Sequence, residues 1–215
     1  MDAVEVRRHD RVRRSDGRRT HEAILEMAAN VASVDGINGL TIGGLAAALG
    51  VSKSGLYAHF GSKEELQKET IEAARAVFAR EVMAPTMEAP EGLPRLQRFL
   101  TAYFSYLERW VFPGGCFFAN LLADADGRSG PIHDLVVSLE RSWVEELGGL
   151  VRDAQRSGGL DGTLDADLLA FELYACLELA NYHFVLFREP AVLERGRRAV
   201  DGILARAETP GQDGG

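Results

Sequence analysis

Residues 41–63 read TIGGLAAALGVSKSGLYAHFGSK, which predicts two short helices joined by a tight turn and followed by the start of another helix. Thr41 can cap the helix before the turn, and Gly50 suits the left-handed conformation that ends it. Val51 is expected to plug the turn, and Ser52 to begin the helix after it. Small alanines at the crossing, a turn glycine, an apolar plug and a short exposed helix are the parts of a helix-turn-helix.

The helix after the turn exposes groups that hydrogen-bond or carry positive charge, and these suit the base edges and phosphates of duplex DNA. They are Ser52, Lys53, Ser54, Gly55, Tyr57 and His59. Lys63 adds a cation at the start of the next helix, where backbone amides also favour a phosphate. Three alternatives stay open: Tyr57 as a half-buried packing residue, His59 as an ordinary surface histidine, and Ser52 as an N-cap, which does not exclude DNA contact.

The run GLTIGGLAAALGVSKSGLYAHFGSKEEL (39–66) resembles the DNA-binding signature of the tetracycline-repressor (TetR) family of bacterial regulators. The matching residues are Thr41, Leu45, Ala46, Gly50, Val51, Ser52, Leu56, Tyr57, His59, Phe60, Ser62, Lys63, Glu64, Glu65 and Leu66. The resemblance implies a homodimer that binds a palindromic operator in double-stranded DNA and represses until a small-molecule effector enters the C-terminal domain. By position, the resemblance implies that phosphates are held by Thr41, Tyr57, His59 and Lys63, and that base edges face Ser52, Lys53, Ser54 and Gly55.

Two glycines depart from the family pattern. Gly43 and Gly44 fill positions where members often carry a charged or larger side chain. Each weakens its helix by about 1 kcal/mol relative to alanine and removes a candidate phosphate contact. Operator contact is therefore expected to lean on the helix after the turn and on the arginines near the N-terminus. Further along the chain, the run PGGCFF (113–118) is similar to one in the ligand domains of some members.

Charge is divided unevenly along the 215 residues. Residues 1–63 hold nine Arg and Lys against seven Asp and Glu, whereas residues 64–215 hold 15 against 25, for a net charge of −8. A mildly basic end on an acidic body orients that end toward phosphates, and it excludes a protein that coats nucleic acid over its whole surface. No apolar run reaches the ~20 residues of a membrane helix, and the N-terminus lacks the apolar core of a signal peptide. We therefore expect no membrane partner and a cytoplasmic location.

Composition and periodicity divide the chain into three parts. Residues 1–18 hold six arginines and little apolar pattern, so we expect a flexible basic arm that either touches phosphates or the minor groove or is simply solvated. Residues 19–66 form the helix-turn-helix domain, whose first helix is expected from Thr20 to about Asp35. Residues 67–215 form a larger helical domain for effector binding and dimerisation. The fold is predicted to be all-α with about nine helices, because no segment alternates as a strand does.

One predicted helix, over residues 168–187, is apolar on nearly every side. A helix without a wide polar face must be covered on both sides. In a chain of this length, we expect one of the two covering surfaces to be a second subunit.

A small-molecule pocket in a helical domain is mainly apolar, with a few placed polar groups. The candidates to line it are Tyr103, Phe104, Leu107, Trp110, Cys116, Phe117, Asn120, Leu121, Trp143, Phe171, Tyr174, Glu178, Asn181 and Tyr182. Most aromatic residues at helical spacing are simply core. Asn120, Glu178 and Asn181 are more informative, because polar groups inside apolar runs need partners. For Glu178 and Asn181, an interface or intramolecular role is slightly favoured over a ligand.

The sequence leaves other functions open beside that of a ligand-responsive repressor. Cys116 follows two glycines and could be an exposed redox or electrophile sensor, although a buried structural cysteine is favoured. A ligand-independent DNA-organising protein would carry the same helix-turn-helix but no pocket. A helical enzyme or carrier would bind no specific DNA. No motif of a phosphate-binding loop, nucleophile elbow or zinc protease occurs, so we expect no enzyme, no cofactor and no metal.

Overall fold

The computed structural model describes residues 3–125 and 129–208, with side chains from residue 19 onward. The helices are α1 (Ala3–Asp35), α2 (Ile42–Leu49), α3 (Lys53–Phe60), α4 (Lys63–Phe78), α5 (Ala84–Met87), α6 (Leu93–Glu108), α7 (Phe117–Ala125), α8 (Pro131–Arg156), α9 (Ala166–Phe187) and α10 (Pro190–Ala207). A π-helical segment, Ala79–Met83, joins α4 directly to α5, so the described residues hold nine helical runs. The predicted all-α fold is therefore confirmed.

The first helix begins earlier than predicted. We expected a flexible arm over residues 1–18 and a helix from Thr20, but α1 begins at Ala3 and passes through Thr20 without a break. The prediction of a start at Thr20 is wrong because the preceding run contains no proline and is rich in arginine, a strong helix former. The side chains of the six arginines lie outside the described residues, so their expected contact with DNA stays a prediction.

Two compact units divide the chain: Met1–Ala76, here called the head, and Val77–Gly215, here called the body. The division lies beyond the boundary at residue 66 that the sequence suggested. The head has its own core, built from the buried side chains of Ile24, Ala28, Leu45, Leu56, Phe60, Leu66 and Ile71. Inside this core, Gln67 Nε2 donates a hydrogen bond of 2.7 Å to the carbonyl oxygen of Ile37. That bond satisfies a buried amide and ties α4 to the loop before α2.

The body is a bundle in which α6 and α9 each pack against both α8 and α10. The buried face of α6 carries Leu96, Phe99, Tyr103, Phe104 and Leu107, at helical spacing. This helix ends at Glu108, and Trp110, two residues further on, adopts a positive φ of 50°. Asp165 caps the start of α9, since its Oδ1 accepts hydrogen bonds from the backbone N–H groups of Asp167 and Leu168.

Candidate DNA-binding surface and effector site

Side-chain caps begin both helices of the predicted helix-turn-helix. Thr41 Oγ1 accepts a hydrogen bond of 3.0 Å from the Gly44 N–H, at the start of α2. Ser52 Oγ accepts one of 3.1 Å from the Gly55 N–H, at the start of α3. Each cap satisfies a backbone donor that the helix itself cannot pair. As predicted, Gly50 ends α2 in the left-handed conformation, with a φ of 66°.

The turn between α2 and α3 is closed by the backbone. The Gly50 N–H donates to the Ala47 carbonyl and the Val51 N–H to the Ala46 carbonyl, over 3.2 and 3.0 Å. The expectation that Val51 plugs this turn is wrong, because its side chain is 50% exposed. Backbone bonds at a helix end already fix the chain reversal, so no apolar plug is required there. The apolar anchor of α3 is instead Leu56, which is buried in the head.

All eight residues predicted to contact DNA are exposed: Thr41, Ser52, Lys53, Ser54, Gly55, Tyr57, His59 and Lys63. Tyr57 is 54% exposed, so about half of its side chain is open to contact with DNA, and its alternative role as a half-buried packing residue stays open. Leu56 and Phe60 occupy the buried side of α3, so the polar groups of this helix point away from the core. The result is a short, capped helix whose free surface bears hydroxyl, amine, phenol and imidazole groups. These are donors and acceptors that suit phosphates and base edges.

Lys63 makes a contact that the sequence did not suggest. Its Nζ donates a hydrogen bond of 2.7 Å to the carbonyl oxygen of Asn38, in the loop before α2. An ammonium group has three donors, so this bond leaves others for a phosphate. Beside it, Ser62 Oγ accepts a 3.0 Å hydrogen bond from the Glu65 N–H and so caps the start of α4.

A pair of side chains that sequence reasoning missed lies behind α3. His21 Nε2 and Glu69 Oε2 are 2.5 Å apart and join α1 to α4. The His21 ring also lies near the rings of Phe60 and His59, with centroids 5.0 and 5.9 Å away. The two members of the pair are distant in sequence and neither interrupts an apolar run, so no local pattern could have identified them. They brace the C-terminal end of α3.

Inside the body, an aromatic cluster extends from α4 to α9. Its members are Phe78, Phe99, Tyr103, Tyr106, Phe118, Trp143 and Tyr174. Trp143 is central, since its ring centroid lies 5.5 Å from those of Phe78 and Phe99 and 6.2 Å from that of Tyr174. Of the predicted pocket residues, the structure thus brings Tyr103, Trp143 and Tyr174 together.

Two carboxyl groups lie among these rings, one of them missed by sequence reasoning. Tyr174 Oη donates a hydrogen bond of 3.2 Å to Glu140 Oε2. Burial and the nearby charge of Glu140 raise the pKa of Glu178 to about 7, and burial also raises the pKa of Glu140. Glu140 could have been recognised from its position, because it follows buried Val136 by one turn and precedes buried Leu147 by two on α8.

Two further tyrosine hydroxyls differ in their surroundings, since Tyr182 is 39% exposed and Tyr103 is buried. Tyr182 Oη donates to the carbonyl oxygen of Ala119 over 3.1 Å. Tyr103 is 2% exposed, yet its hydroxyl has no oxygen or nitrogen partner among the described residues and lies beside the Cys116 thiol, a weak hydrogen-bonding group. Burial, the Cys116 thiol and the Glu178 carboxyl raise the pKa of Tyr103, so the hydroxyl stays protonated. We call Tyr103, Glu140, Tyr174 and Glu178 the interior polar cluster.

Cys116 is a buried residue of the loop before α7. Burial and the charge of Glu178 raise the pKa of its thiol to about 11, which removes the thiolate that redox and electrophile chemistry needs. The Cys116 N–H donates a hydrogen bond of 2.8 Å to Asn181 Oδ1, so Asn181 has the intramolecular role that was favoured. At Gly115, with a φ of 86°, an added Cβ would lie 2.5 Å from the same Oδ1. The structure therefore favours the structural reading of Cys116.

Other predicted pocket residues lie elsewhere. Trp110 stacks on Phe184, with ring centroids 4.5 Å apart, and the Arg188 guanidinium lies 4.3 Å from the Trp110 centroid. Asn120 Nδ2 donates to the carbonyl oxygen of Gly114 over 2.9 Å and closes the loop before α7. Four further candidates are buried and pack in the core of the bundle: Phe104, Leu107, Phe117 and Leu121.

Phe171 is 69% exposed and belongs to a different surface. It is part of an apolar stripe on the outer face of α9, formed by Leu168, Phe171, Leu179, Tyr182 and Leu186. A shallow groove between α9 and α10 continues this stripe and is lined in part by Cys176, Leu179 and His183. The sequence indicated that α9 needs cover on both sides. In the protomer, α8 and α10 cover one side and leave the stripe exposed.

The described residues offer neither a metal-binding cluster nor a membrane-spanning helix. No group of three or more His, Cys, Asp or Glu side chains there is arranged to hold a metal ion. No helix in the same part of the chain is long and apolar enough to cross a membrane.

Comparison with known proteins gives matches along most of the chain. The family described as "Bacterial regulatory proteins, tetR family" matches residues 24–70, and "Tetracyclin repressor-like, C-terminal domain" matches residues 92–200. The HTH-type transcriptional repressor DhaR of Mycobacterium sp. strain GP1 is 23% identical over 181 residues, which cover 84% of this chain and 86% of that protein. The nucleoid occlusion factor SlmA of Sodalis glossinidius is 29% identical over 170 residues, 78% of this chain and 83% of that protein.

A solved structure gives a similar result for the fold. A TetR transcriptional regulator from Chloroflexus aurantiacus superposes with a TM-score of 0.81 at 25% identity. The match covers 91% of this chain and 100% of that one. The similarity therefore extends over both the head and the body.

Proposed function

Because the chain belongs to the tetracycline-repressor (TetR) family of bacterial transcriptional regulators, we propose that it acts as a homodimeric repressor of a palindromic operator. A small-molecule effector that binds in the body releases the repressor from DNA. DNA binding is assigned to the head, and effector binding and dimerisation to the body. The observation that carries the proposal is the exposed polar face of α3, held by its cap and its Leu56 anchor.

The size of α3 supports a dimer. This helix has 8 residues, so one head can reach only a few base pairs. Two heads related by a twofold axis would read two half-sites, roughly 34 Å apart in successive major grooves. The apolar stripe of α9 is the surface that supports such pairing, because it is long, apolar and uncovered in the protomer.

The interior of the body supports effector binding. It combines aromatic rings with the partly buried carboxyl groups of Glu140 and Glu178 and the unpartnered hydroxyl of Tyr103. A few placed polar groups in an apolar surround are typical of small-molecule sites. An effector that binds one dimer conformation better would shift the population toward it and change the separation of the two heads.

A second candidate function is a DNA-organising protein that needs no effector. It is favoured by the 29% identity to a nucleoid occlusion factor, which shares most of its length with this chain. Such a protein would bind many dispersed sites, and no metabolite would change its affinity for them.

The proposal is tested by incubating the full-length protein with fragments of the source genome and sequencing the fragments that it retains. We expect a few palindromic sequences near promoters to be enriched. The variant Lys53→Ala, which alters the exposed face of α3, should lose this enrichment. Lys68→Ala is the matched control, because Lys68 is already paired with Glu64 at 2.6 Å on α4. Retention of fragments in proportion to their input would contradict the proposal, and many dispersed sites would favour the second candidate.

A further inference from the structure

We propose that the effector is an organic cation whose positively charged nitrogen is held between Glu178 and Glu140 in the interior polar cluster. The inference rests on the proposed function in one respect, since it takes the interior of the body as the effector site. It goes further in naming the chemical class of the ligand.

The first argument is the absence of a positive partner for these carboxyl groups. Among the described residues, Glu178 makes no hydrogen bond or ion pair, and the one charge acting on it is the negative charge of Glu140. Among the same residues, Glu140 accepts a hydrogen bond only from the hydroxyl of Tyr174. Two arginines of α8 are engaged elsewhere, because Arg152 pairs with Glu145 and Asp167. Arg156 pairs with Asp153. Two carboxyl groups without a cation are unfavourable in a low-dielectric interior.

The second argument is the hydroxyl of Tyr103. It is buried, it has no oxygen or nitrogen partner among the described residues, and it lies near the Cys116 thiol and the Glu178 carboxyl. Tyr103 lies on α6, whereas Glu140 and Glu178 lie on α8 and α9. Polar groups from three helices thus converge on one region, and two of them, Tyr103 and Glu178, lack an oxygen or nitrogen partner among the described residues. A buried hydroxyl is rarely left without a partner, and a polar group of a ligand would supply one.

The aromatic rings near the carboxyl groups favour a positively charged ligand. Trp143 lies against Tyr174 and Phe99, on the same helices as the carboxyl groups and Tyr103. The faces of such rings attract cations, and the attraction grows when water is excluded. An anion would be repelled by both carboxylates, and a neutral ligand would leave their charge uncompensated. Both carboxyl groups keep partial exposure, so a ligand can reach them from solvent.

The test measures binding to the full-length protein without DNA, by isothermal titration calorimetry. The probes are benzyltrimethylammonium and phenethylammonium, with 2-phenylethanol as the neutral and phenylacetate as the anionic counterpart. We expect the cations to bind and the counterparts to bind at least about tenfold more weakly, as for the loss of one buried charge-assisted contact. Glu178→Gln should weaken cation binding by a similar factor. Glu172→Gln, which neutralises another carboxyl group of α9, should leave it unchanged.

Three results would overturn the inference: no binding of either cation at millimolar concentration, equal or tighter binding of a counterpart, or unchanged cation binding by Glu178→Gln. Glu140→Gln provides a second variant in case the first does not fold. The outcome is separable from the repressor proposal. Operator binding together with no cation binding would remove only the inference, whereas Glu178-dependent cation binding without any operator would remove only the repressor function.

Discussion

The hydroxyl of Tyr174 donates a hydrogen bond of 3.2 Å to Glu140, whereas Glu178, one helical turn further along α9, has no partner among the described residues. The two carboxyl groups therefore differ in how their burial is compensated. The burial of Glu178 has no such compensation, so its protonation should be visible in the stability of the protein.

Replacing Glu178 by glutamine should stabilise the protein above pH 7 and not below pH 4.5. The pKa of Glu178 is raised in the folded state from its ordinary 4.5 to about 7, so the folded protein binds this proton more tightly than the unfolded chain. Stability should fall as pH rises through that window, by up to about 3 kcal/mol. Glutamine carries no such penalty. Thermal unfolding across this pH range measures the difference.

Glu172→Gln is the control for this prediction, because it removes a carboxyl group from the same helix and leaves Glu178 in place. It should follow the wild-type pH dependence. A Glu178→Gln protein that is no more stable than wild type at any pH would show that Glu178 is not held in an uncompensated environment.

Replacing Lys63 by alanine should weaken operator binding and reduce its salt dependence by about one phosphate contact, because fewer counterions are released. Its hydrogen bond to Asn38 positions the amine without using all its donors. Affinity measured over a series of salt concentrations gives the slope. Lys68→Ala should keep the wild-type slope, since Lys68 pairs with Glu64. Equal slopes for wild type and Lys63→Ala would show that Lys63 does not contact a phosphate of the operator.

Gly43→Ala should stabilise the head by about 1 kcal/mol, because alanine is the better helix former and nothing lies within 4 Å of the added Cβ. Gly44→Ala is the matched comparison. There the added Cβ would lie 3.0 Å from Thr41 Oγ1, the acceptor that caps α2, so part of the gain should be lost. Chemical denaturation of the full chain compares the two. A larger gain at Gly44 would contradict this account of the cap.

Leu186→Glu should dissociate the dimer, because Leu186 is 72% exposed at the end of the α9 stripe and a buried, unpaired charge is costly. Sedimentation should show a folded monomer with an unchanged circular dichroism spectrum. Leu177, also in the apolar run of α9, is fully buried within the protomer, so Leu177→Glu should instead unfold the body. A stable Leu186→Glu dimer would place the interface on another surface.

The head could be predicted closely from sequence because its determinants are local. The caps at Thr41 and Ser52 and the left-handed Gly50 depend on residues a few positions away, and all three were found as expected. Val51 was misjudged because backbone bonds, which leave no trace in side-chain type, close the turn. The start of α1 was missed because an arginine-rich run lacks apolar periodicity whether or not it is helical.

The interior of the body could be predicted only in part. Glu178 and Tyr174 stand out as polar groups in an apolar run, but their convergence with Tyr103 and Glu140 depends on how α6, α8 and α9 pack. Phe171 is a second case in which the position of a side chain depends on how the helices pack. On a helix that is apolar all round, the sequence cannot tell which face the protomer covers, and Phe171 proved to be exposed.

The central claim is that two copies of the head bind one palindromic operator. It is tested most directly by titrating a fluorescent duplex that carries the selected site with full-length protein, beside a duplex in which one half-site is scrambled. The account predicts saturation at two protomers per intact duplex and a large loss of affinity for the scrambled one. Saturation at one protomer, with equal affinity for both duplexes, would contradict it.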